Sequence, residues 1–157
     1  MFTIRRYNHD DISQVLAHLQ QFFVENRGKD YQNLFSSIDY SHDKTYKMLK
    51  SNVSNIEFFL NLIDVDGEVV GGLCAIIAEP LYSYQKIAYD QVLYVTPRYN
   101  NVRAVSKLIQ SYVEWAGRRG VHHCRLASST GYQTEAFALL CKRNGFIENE
   151  IGFMKRF

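Results

Sequence analysis

Apolar and polar side chains alternate from Phe2 to Tyr7, as they do in a strand with one buried face, and the Asn8 to Asp11 cluster that follows supplies oxygens suited to a helix start. Ile12, Val15, Leu16, Leu19, Phe22 and Phe23 then recur at helical spacing and predict one apolar stripe. Glu25 to Tyr40 is a polar excursion with interspersed Tyr31, Leu34, Phe35 and Ile38. Ser41 is placed to cap a second helix running to about Leu49.

The period changes after Glu57. FFLNLIDV and EVVGGLCAII are two strand-like runs on either side of Asp66-Gly67, which is a tight-turn pair, so a hairpin is expected. The aromatic loop PLYSYQK leads into a further strand from Ile87 to Val95, closed by Pro97, because proline cannot donate to a ladder. Val102, Val105, Leu108, Ile109, Tyr112, Val113 and Ala116 form a second helical stripe that ends near Gly117 or Gly120. Val121 to Ala127 reads as a strand, Thr134 to Arg143 as a helix closed by Asn144-Gly145, and Phe146 to Phe157 as strand material with a bend at Gly152. The predicted order is β-α-α-β-β-β-α-β-α-β, with the last strand open to division into two. That order describes a mixed α/β protein whose central sheet is flanked by helices.

Length and composition narrow this picture. At 157 residues and 46% hydrophobic, the chain fits one domain, residues 1–157, with a single good core. A net charge of +2, from 18 basic and 16 acidic residues, gives no overall signal for nucleic acid, although it leaves a local basic patch open. Cys74, Cys124 and Cys141 are odd in number and lie among apolar residues, which suits free thiols in a reducing compartment better than disulfides or zinc. The first residues lack the apolar stretch of a signal peptide, and no run approaches the ~20 apolar residues that cross a bilayer, so a cytoplasmic protein without a membrane partner is expected. His122 and His123 are neighbours on a predicted strand and point to opposite faces, which opposes joint chelation; no metal site is expected.

The chemistry concentrates between Val92 and Gly120, where a strand, a Pro-marked turn and an amphipathic helix follow one another. The first N–H groups of a helix lack intrahelical partners and sit at the positive end of its dipole, so the turn at Asn100 to Ser106 is a candidate anion site. Within it lie Asn101, Val102, Arg103, Ala104 and Val105. Arg103 offers a planar cationic fork suited to phosphate oxygens, or else a solvated place on the polar face beside Lys107 and Gln110.

Four local signals, DVDGEVVGG, LYVTPRY, EWAGRRGV and LCKRNGF, resemble in their order and spacing the GCN5-related N-acetyltransferase superfamily, here GNAT. The resemblance runs from the first strand to the last and is to a divergent member, with a weak likeness to phage-associated ones. It implies the acyl-CoA N-acyltransferase fold, acetyl-CoA as cosubstrate, and a primary amine on a small molecule or protein as acceptor. Pantetheine would then lie between splayed strands and pyrophosphate against the turn before the main helix. The family pattern of Gln or Arg, then two small residues, falls here on Asn100, Arg103 and Val105, so both small residues are replaced. That departure leaves two readings: phosphate binding carried by Arg103, or a turn too bulky for CoA.

The resemblance also points to a carboxylate on the preceding strand as general base, and Asp90 is the only one between Ile87 and Val95. Backbone N–H groups at Leu93, Tyr94 and Val95 would polarise the thioester carbonyl, and Leu139 and Lys142 of the last helix are placed on the cofactor side. The family's usual Tyr, four residues before the terminal Gly-Phe, is Cys141 here; Tyr132 is the alternative proton donor to the leaving thiolate. Tyr31, Phe35, Tyr82 and Tyr84 fall in loops that border the acceptor side in the family, where they would line an entrance or cover the sheet. A homodimer is compatible with this reading. Two further functions stay open: a non-catalytic or repurposed binding protein, and a member that modifies nucleic-acid bases.

Overall fold

Strand-forming runs with one or both faces apolar stack into a five-stranded sheet of order β1-β2-β3-β4-β5, comprising β1 (Phe2–Arg6), β2 (Phe58–Val65), β3 (Glu68–Ala78), β4 (Ile87–Val95) and β5 (His123–Arg125). The computed structural model describes residues 1–27, 40–99, 101–128, 134–150, 153 and 155. The first four strands are antiparallel, and β5 alone runs parallel to its neighbour β4. The Asp66-Gly67 turn between β2 and β3 has φ of 53° and 90°, the positive values that the two-residue hairpin predicts.

Helices cover both faces. On one side α3 (Val102–Arg118) lays Ala104, Leu108, Ile109, Tyr112, Trp115 and Ala116 on the sheet, against Phe59, Ile63 and Leu73. On the other, α1 (Ile12–Arg27) and α2 (His42–Asn52) pack Ile12, Val15, Leu16 and Leu49 over Phe58, Leu60 and Leu62. The last helix, α4 (Thr134–Arg143), is tied to α3 where Ser106 Oγ donates to Asn144 Oδ1 at 2.9 Å.

The predicted elements are present with two differences. The strand expected at Val121 to Ala127 contracts to His123–Arg125, and Phe146 to Glu150, expected to begin a last strand, carries no strand pairing. Those residues include three polar or charged side chains in succession, Glu148, Asn149 and Glu150, with no apolar alternation to bury. Among the described residues, no helix is long and apolar enough to cross a membrane, and the three cysteines are unpaired.

Entry into α1 rests on charge. Asn8 and Asp11 form a capping box in which Asp11 Oδ2 accepts from Asn8 N–H at 2.8 Å. Arg5 Nη1 and Nη2 reach the two oxygens of buried Asp11 at 2.7 and 2.8 Å, and its Nε donates to Asp64 Oδ2 at 2.8 Å. The Arg5 guanidinium holds the Asp11 carboxyl below its ordinary range; for Asp64 the Gly67 N–H is the larger cause and Arg5 the next. Removal of the cation leaves a buried carboxylate uncompensated, so Arg5→Ala is expected to lower the unfolding free energy by on the order of 3 kcal/mol in urea titration. Both carboxyls are depressed in the folded state, so their contribution is full above the unfolded value of about 3.9 and is lost as pH falls through the folded values. Acid unfolding followed by circular dichroism should therefore lose that contribution in Arg5→Ala.

Candidate active site

The central irregularity of the sheet is in β4. Cys74 pairs with Val92 and Ala75 with Asp90, so Gln91 is an extra residue opposite β3, a bulge that reverses the parity of the strand. Before it Ala88 faces the α3 core, and after it Leu93 and Val95 do; Gln91 and Val92 both turn to the α1 and α2 side. The second irregularity is on the other edge. Among the described residues β4 and β5 pair only at Ile87↔His123, Ala88↔Cys124 and Tyr89↔Arg125, and beyond that rung β4 continues to Val95 with no partner on that side.

Two side chains define the parting point. Buried Tyr112, from α3, directs its hydroxyl to the carbonyl of Ala88 on β4 and that of Arg125 on β5, each at 2.9 Å, so one proton serves both strands at their last rungs. One step further, Asp90 Oδ2 accepts from Ala127 N–H at 3.1 Å, replacing with a side chain the ladder bond that the backbone no longer makes. The other Asp90 oxygen is buried and has no hydrogen-bond partner among the described residues. Burial raises the Asp90 carboxyl above its ordinary value, and the Ala127 N–H and the Arg125 charge only partly offset this. Tyr112 was not singled out for function in the sequence; its signal there is a hydroxyl inside an otherwise apolar stripe.

The free edge ends at the N-terminus of α3. Thr96 N–H donates to Val70 O at 2.8 Å, so by alternation the N–H groups of Leu93 and Val95 aim away from β3 at the open edge, while that of Tyr94 belongs to the β3 side. This narrows the three-residue expectation to two donors. The Tyr94 ring instead packs edge-on to Phe22 at 5.2 Å. In α3, Asn101 is the N-cap: its Oδ1 accepts from Ala104 N–H and its carbonyl from Val105 N–H, both at 3.1 Å. The N–H groups of Val102 and Arg103 are left without a hydrogen-bond partner among the described residues. The Arg103 side chain is exposed, and Val105 packs its bulk into the α3 core rather than into the turn. Ala104 is fully buried, and the Ser106 hydroxyl is committed to Asn144, so neither side chain faces an anion.

The remaining sites of expectation divide. Asn100, Tyr132, Tyr31 and Phe35 lie outside the described residues. Leu139 is exposed on α4, and exposed Lys142 approaches Glu148 at 3.8 Å. Cys141 is buried and its thiol is pushed up to about 11 by burial and by the Asp90 charge, which suits an inert packing residue. Tyr82 and Tyr84 are more than 90% exposed, so they do not cover the sheet; they border an open depression with Lys86, Gly120 and His122. His122 and His123 are both exposed, and no cluster of metal-ligating side chains occurs among the described residues.

Behind the bulge, on the α1 and α2 side, is a cavity of about 620 Å³. Its walls come from α1, α2, β2, β3 and, at its inner end, Gln91, Val92 and Tyr94 of β4. Gly71 and Gly72 form part of that end, and a Cβ on Gly71 would lie 2.7 Å from the Tyr94 carbonyl oxygen. His18 belongs to the wall, with its Nε2 hydrogen-bonded to the Val69 carbonyl and its Nδ1 buried and without a partner among the described residues. A lone His within a helical stripe carries no signal of this place in the sequence.

The family model described as acetyltransferase (GNAT) family matches residues 15–146. The chain belongs to that family. Solved structures with the GNAT fold superpose over nearly the whole molecule. AAC(6')-Iy in complex with the bisubstrate analog CoA-S-monomethyl-acetylneamine has a TM-score of 0.75 at 14% identity, covering 100% of this chain and 98% of that one. An acetyltransferase from Clostridium acetobutylicum with acetyl-CoA gives 0.72 at 12%, covering 99% and 96%. The aminoglycoside acetyltransferase meta-AAC0020, from an uncultured soil metagenomic sample, in complex with sisomicin gives 0.70 at 16%, also covering 99% and 96%. These identities establish a shared fold. No curated protein matches the chain in sequence.

In this GNAT domain the Tyr112 hydroxyl holds the two strands together where they part. Tyr112→Phe is expected to leave the fold intact but to lower its stability by about 1–2 kcal/mol, because two buried carbonyls lose their only side-chain donor. Urea titration reads the loss, and hydrogen exchange should place it at β5.

Proposed function

We propose that this GNAT protein is an acetyl-CoA-dependent N-acetyltransferase that moves an acetyl group to a primary amine by direct attack within a ternary complex. The observation that carries this is the unpaired edge of β4, from Asp90 to Val95, running from the Tyr112 clamp to the N-terminus of α3. Acetyl-CoA, when bound, supplies an acetyl group activated as a thioester.

The residues present fit that cosubstrate. The Val102 and Arg103 N–H groups and the exposed Arg103 guanidinium are donors and charge for pyrophosphate, and the valine that replaces a small residue is turned to the core. Leu93 and Val95 present N–H groups on the free edge, where they stabilise charge that develops on an acyl oxygen. Leu139, exposed on α4, offers apolar surface on the same side of the sheet as α3. The cavity behind Gln91 and Val92 gives an amine access to the bulge from the opposite face.

An amine reaches neutral water as an ammonium and must lose a proton before it attacks. Asp90 is the proposed acceptor, through water in the gap between the strands. Its carboxylate is made more basic by burial and is held in place by the Ala127 N–H. Asp90 is not part of the cavity wall, so the proton reaches it from an amine there only through such a water.

Two experiments test this reading. Acetyl-CoA should raise the melting temperature, and Arg103→Glu should weaken its binding at least about tenfold in calorimetry, since a charge attractive to phosphate becomes repulsive. No shift at millimolar cosubstrate would favour a binding protein on the same fold instead. Asp90→Asn keeps an acceptor for Ala127 N–H but removes the base; kcat should fall roughly 10²-fold with acetyl-CoA affinity unchanged. The wild-type kcat should rise with pH through the raised Asp90 value, above the ordinary carboxylate range, and that limb should vanish in the variant. Retained kcat would assign Asp90 to holding the gap alone.

A further inference from the structure

The cavity behind the bulge has a wall chemistry that specifies what enters it. Its surface is dominated by Leu19, Phe58, Leu60, Leu62, Val69 and Val92. Several polar side chains on the wall are committed to protein partners, while His18 Nδ1 and the Tyr40 hydroxyl are buried without one among the described residues. Asn55 Nδ2 donates to Asn52 Oδ1 at 2.8 Å, Thr45 Oγ1 to the Ser41 carbonyl at 2.8 Å, and Gln91 Nε2 to the Asp90 carbonyl at 3.2 Å. His18 Nε2 is spent on the Val69 carbonyl.

Charge is sparse in the same wall. Glu57 is the one carboxylate among the described lining residues, and its Oε1 already accepts from Lys86 Nζ at 3.0 Å. Lys44, exposed in the first turn of α2, is a lining cation with no ion-pair partner among the described residues. A polycation brought here would lose the water around several ammonium groups against apolar side chains and meet, among the described lining residues, one carboxylate that is already compensated. Desolvated charge without a partner is strongly unfavourable. A molecule with one amine and an apolar body needs only its single amine to become neutral, which transfer requires in any case.

We propose that the acceptor of this protein is a monoamine with an aromatic or aliphatic body, an arylalkylamine or alkylamine, and that the cavity rejects polycations such as aminoglycosides. The inference rests on the acetyl-transfer reading for its chemistry but on the cavity wall for its selectivity. It separates this chain from the aminoglycoside-bound proteins whose fold it shares, because a common fold at 14–16% identity fixes the location of an acceptor site and leaves its lining free to change.

The two readings are separated by measuring binding and turnover independently. Phenethylamine, hexylamine, spermidine and kanamycin are titrated calorimetrically into the full chain, with and without CoA, and thiol release from acetyl-CoA is followed with each amine. Phenethylamine and hexylamine should bind at least about tenfold more tightly than spermidine and kanamycin, the scale that burial of a few methylenes and exclusion of unpaired charge produce. Lys44→Glu completes a Ser41-x-x-Glu capping box and so keeps α2 folded, and it should narrow that preference by admitting cations. Equal or tighter binding of the polycations, no binding of either monoamine at millimolar concentration, or an unchanged preference in Lys44→Glu would overturn the proposal. Selective monoamine binding without thiol release would instead preserve the cavity assignment and remove the transfer reading.

Discussion

The ladder between β4 and β5 stops after Tyr89↔Arg125, and the candidate site depends on that interruption. Backbone N–H and C=O groups inside a sheet are normally consumed by the neighbouring strand. Where the neighbour leaves, the groups of β4 from Asp90 onward are available for something else. The interruption is held by two side chains: the Tyr112 hydroxyl joins the Ala88 and Arg125 carbonyls within the last two rungs, and the Asp90 carboxylate reaches Ala127 across the first step of the gap. Each is costly to bury alone, and each is satisfied at least in part by the other strand, so the two specify one place for the strands to separate.

The bulge at Gln91 makes that edge useful from both faces. Without it, Leu93 and Val95 would turn to the α1 and α2 side and Val92 to the α3 core. With it, one face of β4 completes the core under α3 while the other opens a cavity at Gln91 and Val92. The tight approach of Gly71 to the Tyr94 carbonyl keeps β3 and β4 close at that point, since any side chain there would push on β4 itself.

Much of the fold was legible because its elements are strongly periodic. The Asp66-Gly67 hairpin and the Ser41 cap were read from residue types alone and are present, as is the α3 stripe except that Val102 and Val113 are exposed and Ala104 and Trp115 join the buried face. The short β5 and the unpaired Phe146 to Glu150 were not, since a run of apolar residues does not say whether an edge is occupied. The site was legible as a location and less so as chemistry. Replacement of small residues by Arg103 and Val105 left two readings, phosphate binding by Arg103 or a turn too bulky for CoA; Val105 is directed into the core and Arg103 outward, a distinction set by helical phase and neighbouring packing.

The sequence by itself determined the element types, the position of the strand-to-helix turn and the membership of an acetyltransferase family, because these follow from local periodicity, capping and motif order. Tertiary structure alone decided where β4 and β5 part, which two N–H groups face the open edge, and that His18, Lys44, Glu57 and Gln91 share one cavity. Those residues are distant along the chain and belong to different elements. Their juxtaposition depends on sheet register and on a one-residue bulge, which local propensity does not encode.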